Sequence, residues 1–206
     1  MRRETPVSEA ADRRAAIFLE AITYLRAVLV PVIMWLVLIG DETRYAYAVA
    51  GGLFAFAAIT DFFDGYLARR WKKVTVLGNF LDTTADKLLV YGVLIALVAV
   101  GRASAWITFI IVARELLILG LRGVVAAGGE VMKPSIWGKL KANVQFIAVF
   151  LAIVRFGDPI GGLYVDQWAM LAAAVVTIGS GVEYVARFSG ALPRSARTPK
   201  VESRER

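Results

Sequence analysis

The sequence predicts an all-α integral membrane protein of six transmembrane helices with a short N-terminal interfacial helix. Three observations predict it. Of the 206 residues, 58% are apolar, more than one water-soluble core of a chain this long can bury. The apolar residues gather in six runs, at 22–40, 45–63, 81–100, 103–120, 142–154 and 168–185, most of them near the length of about 20 residues that crosses a hydrocarbon layer of roughly 30 Å. Finally, 18 of the 24 basic residues fall in the N-terminal arm, the second-to-third and fourth-to-fifth connections and the tail, whereas the other connections hold only Arg44, Arg102 and Arg155. By the positive-inside rule the termini and the even-numbered connections are cytoplasmic, which makes this a multi-pass protein of the plasma (inner) membrane.

The elements follow in order. Residues 1–14 carry four Arg and three acids before any apolar run, so no signal-peptide pattern fits. Ser8 to Leu19 sets Asp12, Arg13 and Arg14 against Ala15, Ala16, Ile17, Phe18 and Leu19, the composition of a helix lying in the interface. The second run closes on Asp61 and Asp64, and the third opens on Asp82 and Asp86. Arg114 and Glu115 interrupt the fourth, while the fifth is short and preceded by Lys139 and Lys141. After Phe188 the chain is rich in Arg, Ser and Pro and is expected to be disordered. The organisation is therefore a cytoplasmic arm with the interfacial helix at 1–21, a six-span catalytic domain at 22–186 and a basic cytoplasmic tail at 187–206.

Composition narrows the chemistry. The chain has no cysteine and no histidine, which removes thiol nucleophiles, disulfides, ordinary zinc sites and Ser-His-Asp triads. A metal site must be built from oxygen ligands, which suit Mg²⁺, Mn²⁺ or Ca²⁺, and a general base must be Asp, Glu, Lys or Tyr. The net charge of +7 is absorbed by the anionic membrane surface, so no nucleic-acid partner is expected.

An ionised side chain within a bilayer costs about 2.5–3.5 kcal/mol on insertion scales, so acids there are functional candidates. Asp61 and Asp64 are three residues apart, Asp82 and Asp86 four. Each pair shares a helical face, and both pairs fall at the cytoplasmic ends of adjoining spans. Together they make a four-carboxylate cup. Two like charges 4 Å apart repel by about 4 kcal/mol at an effective dielectric near 20, so protons or divalent cations must neutralise the cup, and oxygen donors favour Mg²⁺ or Mn²⁺. The surroundings fit a phosphate substrate: Gly65 and Gly78 leave room for a bulky ligand, Arg69 offers a bidentate fork and Thr75 a hydroxyl. Packing glycines and a capping threonine are the plainer alternatives for Gly65, Gly78 and Thr75.

Asp61, Asp64, Gly65, Ala68, Arg69, Gly78, Asp82 and Asp86 occupy all eight fixed positions of the pattern DxxDGxxAR, eight residues, GxxxDxxxD. This resembles the signature of the CDP-alcohol phosphotransferases, and the resemblance extends over the six-span layout from about Ile17 to Val185. It implies transfer of a phosphatidyl group from CDP-diacylglycerol to an alcohol, with release of CMP. It also implies that Asp61, Asp64, Asp82 and Asp86 bind one or two Mg²⁺ or Mn²⁺ ions, with Asp86 in addition taking the proton of the attacking hydroxyl. Asp61, Gly65, Ala68, Arg69, Thr75 and Gly78 would hold CDP-diacylglycerol. A homodimer among membrane lipids is implied as well.

A second cluster, ARELLILGLRGVVAAGG followed by SIWGKLKANVQ, resembles the branch of that family whose acceptor is sn-glycerol 3-phosphate. The expected product is phosphatidylglycerol phosphate. Arg114, Arg122, Lys139 and Lys141 are candidates for the acceptor's phosphate, since a dianion brought to a carboxylate cup needs cations beside it. Two alternatives remain at this stage: Arg114 and Glu115 pair with each other, and Lys139 and Lys141 are topology signals. Thr23 and Arg26, at the start of span one, fit the same branch, although Glu20 stands where the branch usually has Asn. Inositol phosphate, serine or phosphatidylglycerol as acceptor would use the same chemistry. The rival class is a cation- or proton-coupled transporter, against which stand the gathering of the acids at one membrane face and the lack of inverted repeats.

Overall fold

The computed structural model describes residues 24–71, 76–127 and 136–188, with the side chains of 61–71, 76–83 and 139 excepted. The N-terminal arm with its interfacial segment, Thr23, Thr75 and the tail after Phe188 lie outside the described residues, as do the side chains of Asp61, Asp64, Gly65, Ala68, Arg69, Gly78, Asp82 and Lys139.

The described residues are helical and form no strand; a single bridge, Ile160 to Leu163, closes a turn. The helices are α1 (Tyr24–Leu38), α2 (Ala46–Trp71), α3 (Val76–Ala99), α4 (Ala105–Ala127), α5 (Ile136–Val154) and α6 (Val165–Phe188). Each overlaps one of the six apolar runs, but four of them extend well past the run into charged sequence. α2 continues through Asp61 and Asp64 to Trp71, α3 starts five residues before Leu81, and α4 passes Arg122 to end at Ala127. The fifth run is not a short span: α5 begins at Ile136 and takes in Lys139 and Lys141. Ile136–Val154 and Val165–Arg187 are long and apolar enough to cross a membrane, and Tyr24–Leu38 and Ala46–Thr60 are shorter apolar helices. α3 includes Asp82, Asp86 and Lys87, and α4 includes Arg114, Glu115 and Arg122, so neither is apolar throughout.

The core runs through the middle of the bundle. Ile33 and Val37 of α1, Phe54 of α2, Leu89, Val93 and Leu97 of α3, Ile111 of α4 and Val149 and Ile153 of α5 are fully buried. Small residues set the closest approaches. A Cβ on Gly51 would lie 2.7 Å from Val154 Cγ2, and one on Gly92 would lie 2.7 Å from Val30 Cγ1, so these glycines fix α2 against α5 and α3 against α1. Phe54 and Phe146 meet with ring centroids 5.8 Å apart. α5 packs most extensively on α6, which also receives α4.

Polarity runs opposite to that of a water-soluble protein. Trp106, Val175 and Val182 on the outer surface are 78%, 69% and 65% exposed, while Arg26, Glu115, Lys141, Gln145 and Asp166 are buried within the bundle. Such an arrangement suits an apolar solvent, where charged groups must be satisfied by the protein itself.

The three connections that carry few basic residues meet at one end of the bundle. Arg102, between α3 and α4, places its guanidinium carbon 3.4 Å from the ring centroid of Tyr47 at the start of α2. The same group donates 2.8 Å to the carbonyl of Ile153, in the last turn of α5. Arg155 follows α5 in the left-handed region with φ 43°; it pairs with Asp166 at 2.9 Å and donates to the carbonyl of Arg102 at 3.3 Å. Gly157, Gly161 and Gly162, all at positive φ, let the chain reverse between α5 and α6 without Cβ strain.

Candidate active site

At the opposite end, the second half of α2 and the first half of α3 carry the aspartates. Ala46, Ala50, Phe54 and Ala57 form the buried stripe of α2, and positions 61, 64 and 68 continue its register. On α3, Asp86 is one turn before Val90 of the buried stripe and position 82 one turn earlier still. The half-buried Asp86 lines a small cavity, about 30 Å³, whose walls also include Lys87, Tyr91, Glu115, Lys141 and Gln145. That volume is enough for a water molecule.

Glu115 is the centre of this wall. It is 8% exposed and receives three cations from three helices. Oε1 accepts from Arg114 Nη1 at 2.7 Å and from Lys141 Nζ at 2.6 Å, and Oε2 accepts from Lys87 Nζ at 2.7 Å. One carboxylate cannot neutralise three cations, so the cluster keeps a surplus of positive charge beside Asp86. The sequence alternative that Arg114 and Glu115 pair is thus correct as far as it goes, but Glu115 holds Lys87 and Lys141 as well.

Arg114 spends only part of its donor set on Glu115. Its Nε and Nη2 are buried and have no hydrogen-bond partner, leaving the side edge of the guanidinium, the edge that grips a phosphate or carboxylate with two parallel bonds, unused. The stem passes close to α6, where a Cβ on Gly181 would lie 3.2 Å from Arg114 Cγ. Tyr184, one turn further along α6 and 1% exposed, connects the rest of the group. Its ring centroid is 5.7 Å from the Arg114 guanidinium and 5.4 Å from that of Arg122, and its hydroxyl accepts from Arg122 Nη2 at 2.7 Å. A Cβ at Gly138, at the start of α5, would lie 3.8 Å from the same ring.

The expected acceptor residues whose side chains are described are therefore brought together. Arg114 and Lys141 meet on Glu115, and Arg122 joins Arg114 through Tyr184. Lys139 belongs to the same first turns of α5, and Arg26 is buried on α1 with 1% exposure. Sequence reasoning did not select Lys87, Tyr91, Gln145 or Tyr184. Lys87 carried a signal, a charge inside an apolar run next to Asp86; the other three are ordinary residues of apolar helices until the fold brings them together.

The comparisons with known proteins place the chain. The model of the CDP-alcohol phosphatidyltransferase family matches residues 19–179, and the chain belongs to that family of membrane-embedded transferases. Among similar curated proteins is a CDP-diacylglycerol–glycerol-3-phosphate 3-phosphatidyltransferase of Bacillus subtilis, 38% identical over 185 residues that cover 84% of this chain and 96% of the relative. Proteins of the same name from Salmonella paratyphi A and Pectobacterium atrosepticum are 35% and 41% identical, covering 83% and 65% of this chain and 94% and 74% of the relatives.

Proposed function

We propose that this chain transfers the phosphatidyl group of CDP-diacylglycerol to sn-glycerol 3-phosphate, giving phosphatidylglycerol phosphate and CMP. The names of relatives 35–41% identical support the overall reaction. The observation that carries the choice of acceptor is the surplus of cations on Glu115, in the wall of the same cavity that Asp86 lines. A phosphate-bearing alcohol needs positive charge within reach of the base that activates its hydroxyl.

In this reading the acceptor's phosphate binds Arg114, Lys141, Arg122 and Lys139, and its hydroxyl points at Asp86. Asp86 takes the proton as the hydroxyl oxygen attacks the phosphorus that bears diacylglycerol. The new P–O bond forms while the bond to CMP breaks, and CMP leaves with the electron pair. Gly65, Ala68, Arg69, Thr75 and Gly78, with Asp61, hold CDP-diacylglycerol, while Thr23 and Arg26 contribute to the pocket entry.

Asp61, Asp64, Asp82 and Asp86 would hold one or two Mg²⁺ or Mn²⁺ ions. Their donor set fits, being all oxygen, with positions 82 and 86 four residues apart on α3 and positions 61 and 64 three residues apart on α2. When bound, such ions neutralise charge on the phosphoryl oxygens and the carboxylates. The charge distribution supports a six-span chain in the plasma (inner) membrane, with residues 1–21 as a cytoplasmic arm, 22–186 as the catalytic domain, 187–206 as a cytoplasmic tail and the active site facing the cytoplasm; the family resemblance implies a homodimer among membrane lipids.

The test is incorporation of label from CDP-diacylglycerol radiolabelled in the phosphatidyl group, with each acceptor offered singly. Labelled phosphatidylglycerol phosphate with glycerol 3-phosphate alone is the expected result. Preference for inositol phosphate, serine or phosphatidylglycerol would reassign the acceptor, and no incorporation with any would leave the transporter class.

A further inference from the structure

Glu115 touches no part of either substrate in the reaction as written, yet it binds three cations. Lys87 comes from α3, Arg114 from α4 itself and Lys141 from α5, and all three nitrogens lie 2.6–2.7 Å from its two oxygens. An ammonium group has three N–H donors and a guanidinium five. The contacts with Glu115 engage one donor from each cation, so the bond that fixes each cation leaves further donors available. For Arg114 this is directly visible, since Nε and Nη2 are buried and unpartnered. Bare cations this close together would repel one another and splay apart, and long flexible side chains lose rotamer entropy when a ligand has to gather them.

We propose that Glu115 is a positioning residue for the acceptor site. Its carboxylate gathers Lys87, Arg114 and Lys141 before any ligand arrives, and the donors they retain form a preassembled seat for a phosphate dianion beside Asp86. The proposal adds Lys87 to the seat, and it rests on the reading of the acceptor as a phosphate-bearing alcohol. Preorganisation predicts that removing a negative charge from this wall weakens the binding of an anion, the opposite of what simple electrostatics predicts. Glu115 lowers the net positive charge that phosphate meets, but without it the three cations have no common anchor.

The test uses the full chain in detergent and Glu115→Gln, which keeps the shape and removes the charge. The expected result is a rise of about tenfold or more in KM for glycerol 3-phosphate, with KM for CDP-diacylglycerol nearly unchanged. Binding of radiolabelled inorganic phosphate should weaken to a similar degree, a readout that does not depend on turnover. Because Glu115→Gln leaves the buried Lys141 and the half-buried Lys87 and Arg114 uncompensated, it is paired with Glu115→Asp, which keeps the charge and all three cations but is one methylene too short to hold their nitrogens together. If Glu115 serves only to balance charge, Glu115→Asp keeps the wild-type KM and the proposal is overturned. If Glu115 positions the seat, Glu115→Asp regains melting temperature relative to Glu115→Gln but keeps a raised KM. Unchanged or tighter phosphate binding by Glu115→Gln also overturns it. Phosphate binding that depends on Glu115 in an enzyme that does not use glycerol 3-phosphate would refute the proposed function and leave the positioning role standing.

Discussion

The guanidinium carbon of Arg102 sits over the Tyr47 ring, 3.4 Å from its centroid, while Nη1 donates to the last turn of α5 at the Ile153 carbonyl. A single side chain thus joins the start of α2, the connection after α3 and the end of α5. Arg155 adds a second tie by donating to the Arg102 carbonyl and pairing with Asp166. Two of the three basic residues on the face that carries few of them are therefore structural, and they hold together the end of the bundle away from Asp86.

Arg102→Ala should accordingly destabilise the protein and spare its chemistry. A cation–π contact contributes about 0.5–2 kcal/mol and a hydrogen bond about 0.5–1.5 kcal/mol, so a loss of roughly 1–3 kcal/mol is expected. Thermal unfolding in detergent measures it, alongside turnover per folded molecule, which should stay near wild type. A large fall in turnover with unchanged melting would contradict this division between the two ends.

Much of the fold was legible in the sequence because bilayer crossing imposes a length and a composition on each helix. Helix ends were not. Hydropathy stops at a charge, whereas a helix continues wherever that charge finds a partner. Lys141 cut the fifth apolar run short at Ala142, yet it lies inside α5, buried against Glu115. For the candidate site, the sequence could propose the aspartates because three- and four-residue spacings are local. The ties from Lys87 to Glu115 and from Arg122 to Tyr184 link positions 28 and 62 residues apart, and no local period announces such pairs.

Removing divalent cations should abolish lipid synthesis. Four aspartates in the second half of α2 and the first half of α3 require compensation, and an all-oxygen set favours hard ions. Excess chelator should stop label incorporation, and Mg²⁺ or Mn²⁺ should restore it. Full turnover in chelator, with the absence of metal verified by elemental analysis, would refute the four-aspartate site.

Base and ligand roles separate by substitution. Asp86→Asn should lower turnover by about 10² or more, the scale of general-base removal, while CDP-diacylglycerol still binds. Asp61→Asn and Asp64→Asn should instead weaken the binding of metal and nucleotide. Equilibrium binding of labelled CDP-diacylglycerol distinguishes the two classes, and near-normal turnover by Asp86→Asn would exclude it as the base.

The acceptor site yields the most discriminating prediction, because its cations are not equivalent. Alanine at Arg114, Arg122, Lys139 or Lys141 should raise KM for glycerol 3-phosphate or lower kcat, with much smaller changes in KM for CDP-diacylglycerol. Arg114 and Lys141 share Glu115, so their loss also unbalances a buried charge cluster, and melting measurements must accompany their kinetics. Arg122 is exposed and bonded to the Tyr184 hydroxyl, so Arg122→Ala should fold normally and give the cleanest kinetic effect. Tyr184→Phe keeps the ring beside both arginines and removes only the hydroxyl that steadies Arg122. It should therefore produce a smaller rise in the same KM, in the direction of Arg122→Ala and with no effect on CDP-diacylglycerol. If folded Arg122→Ala and Tyr184→Phe both retain wild-type dependence on glycerol 3-phosphate, then Arg122 serves α6 packing and the phosphate seat is confined to the cations around Glu115.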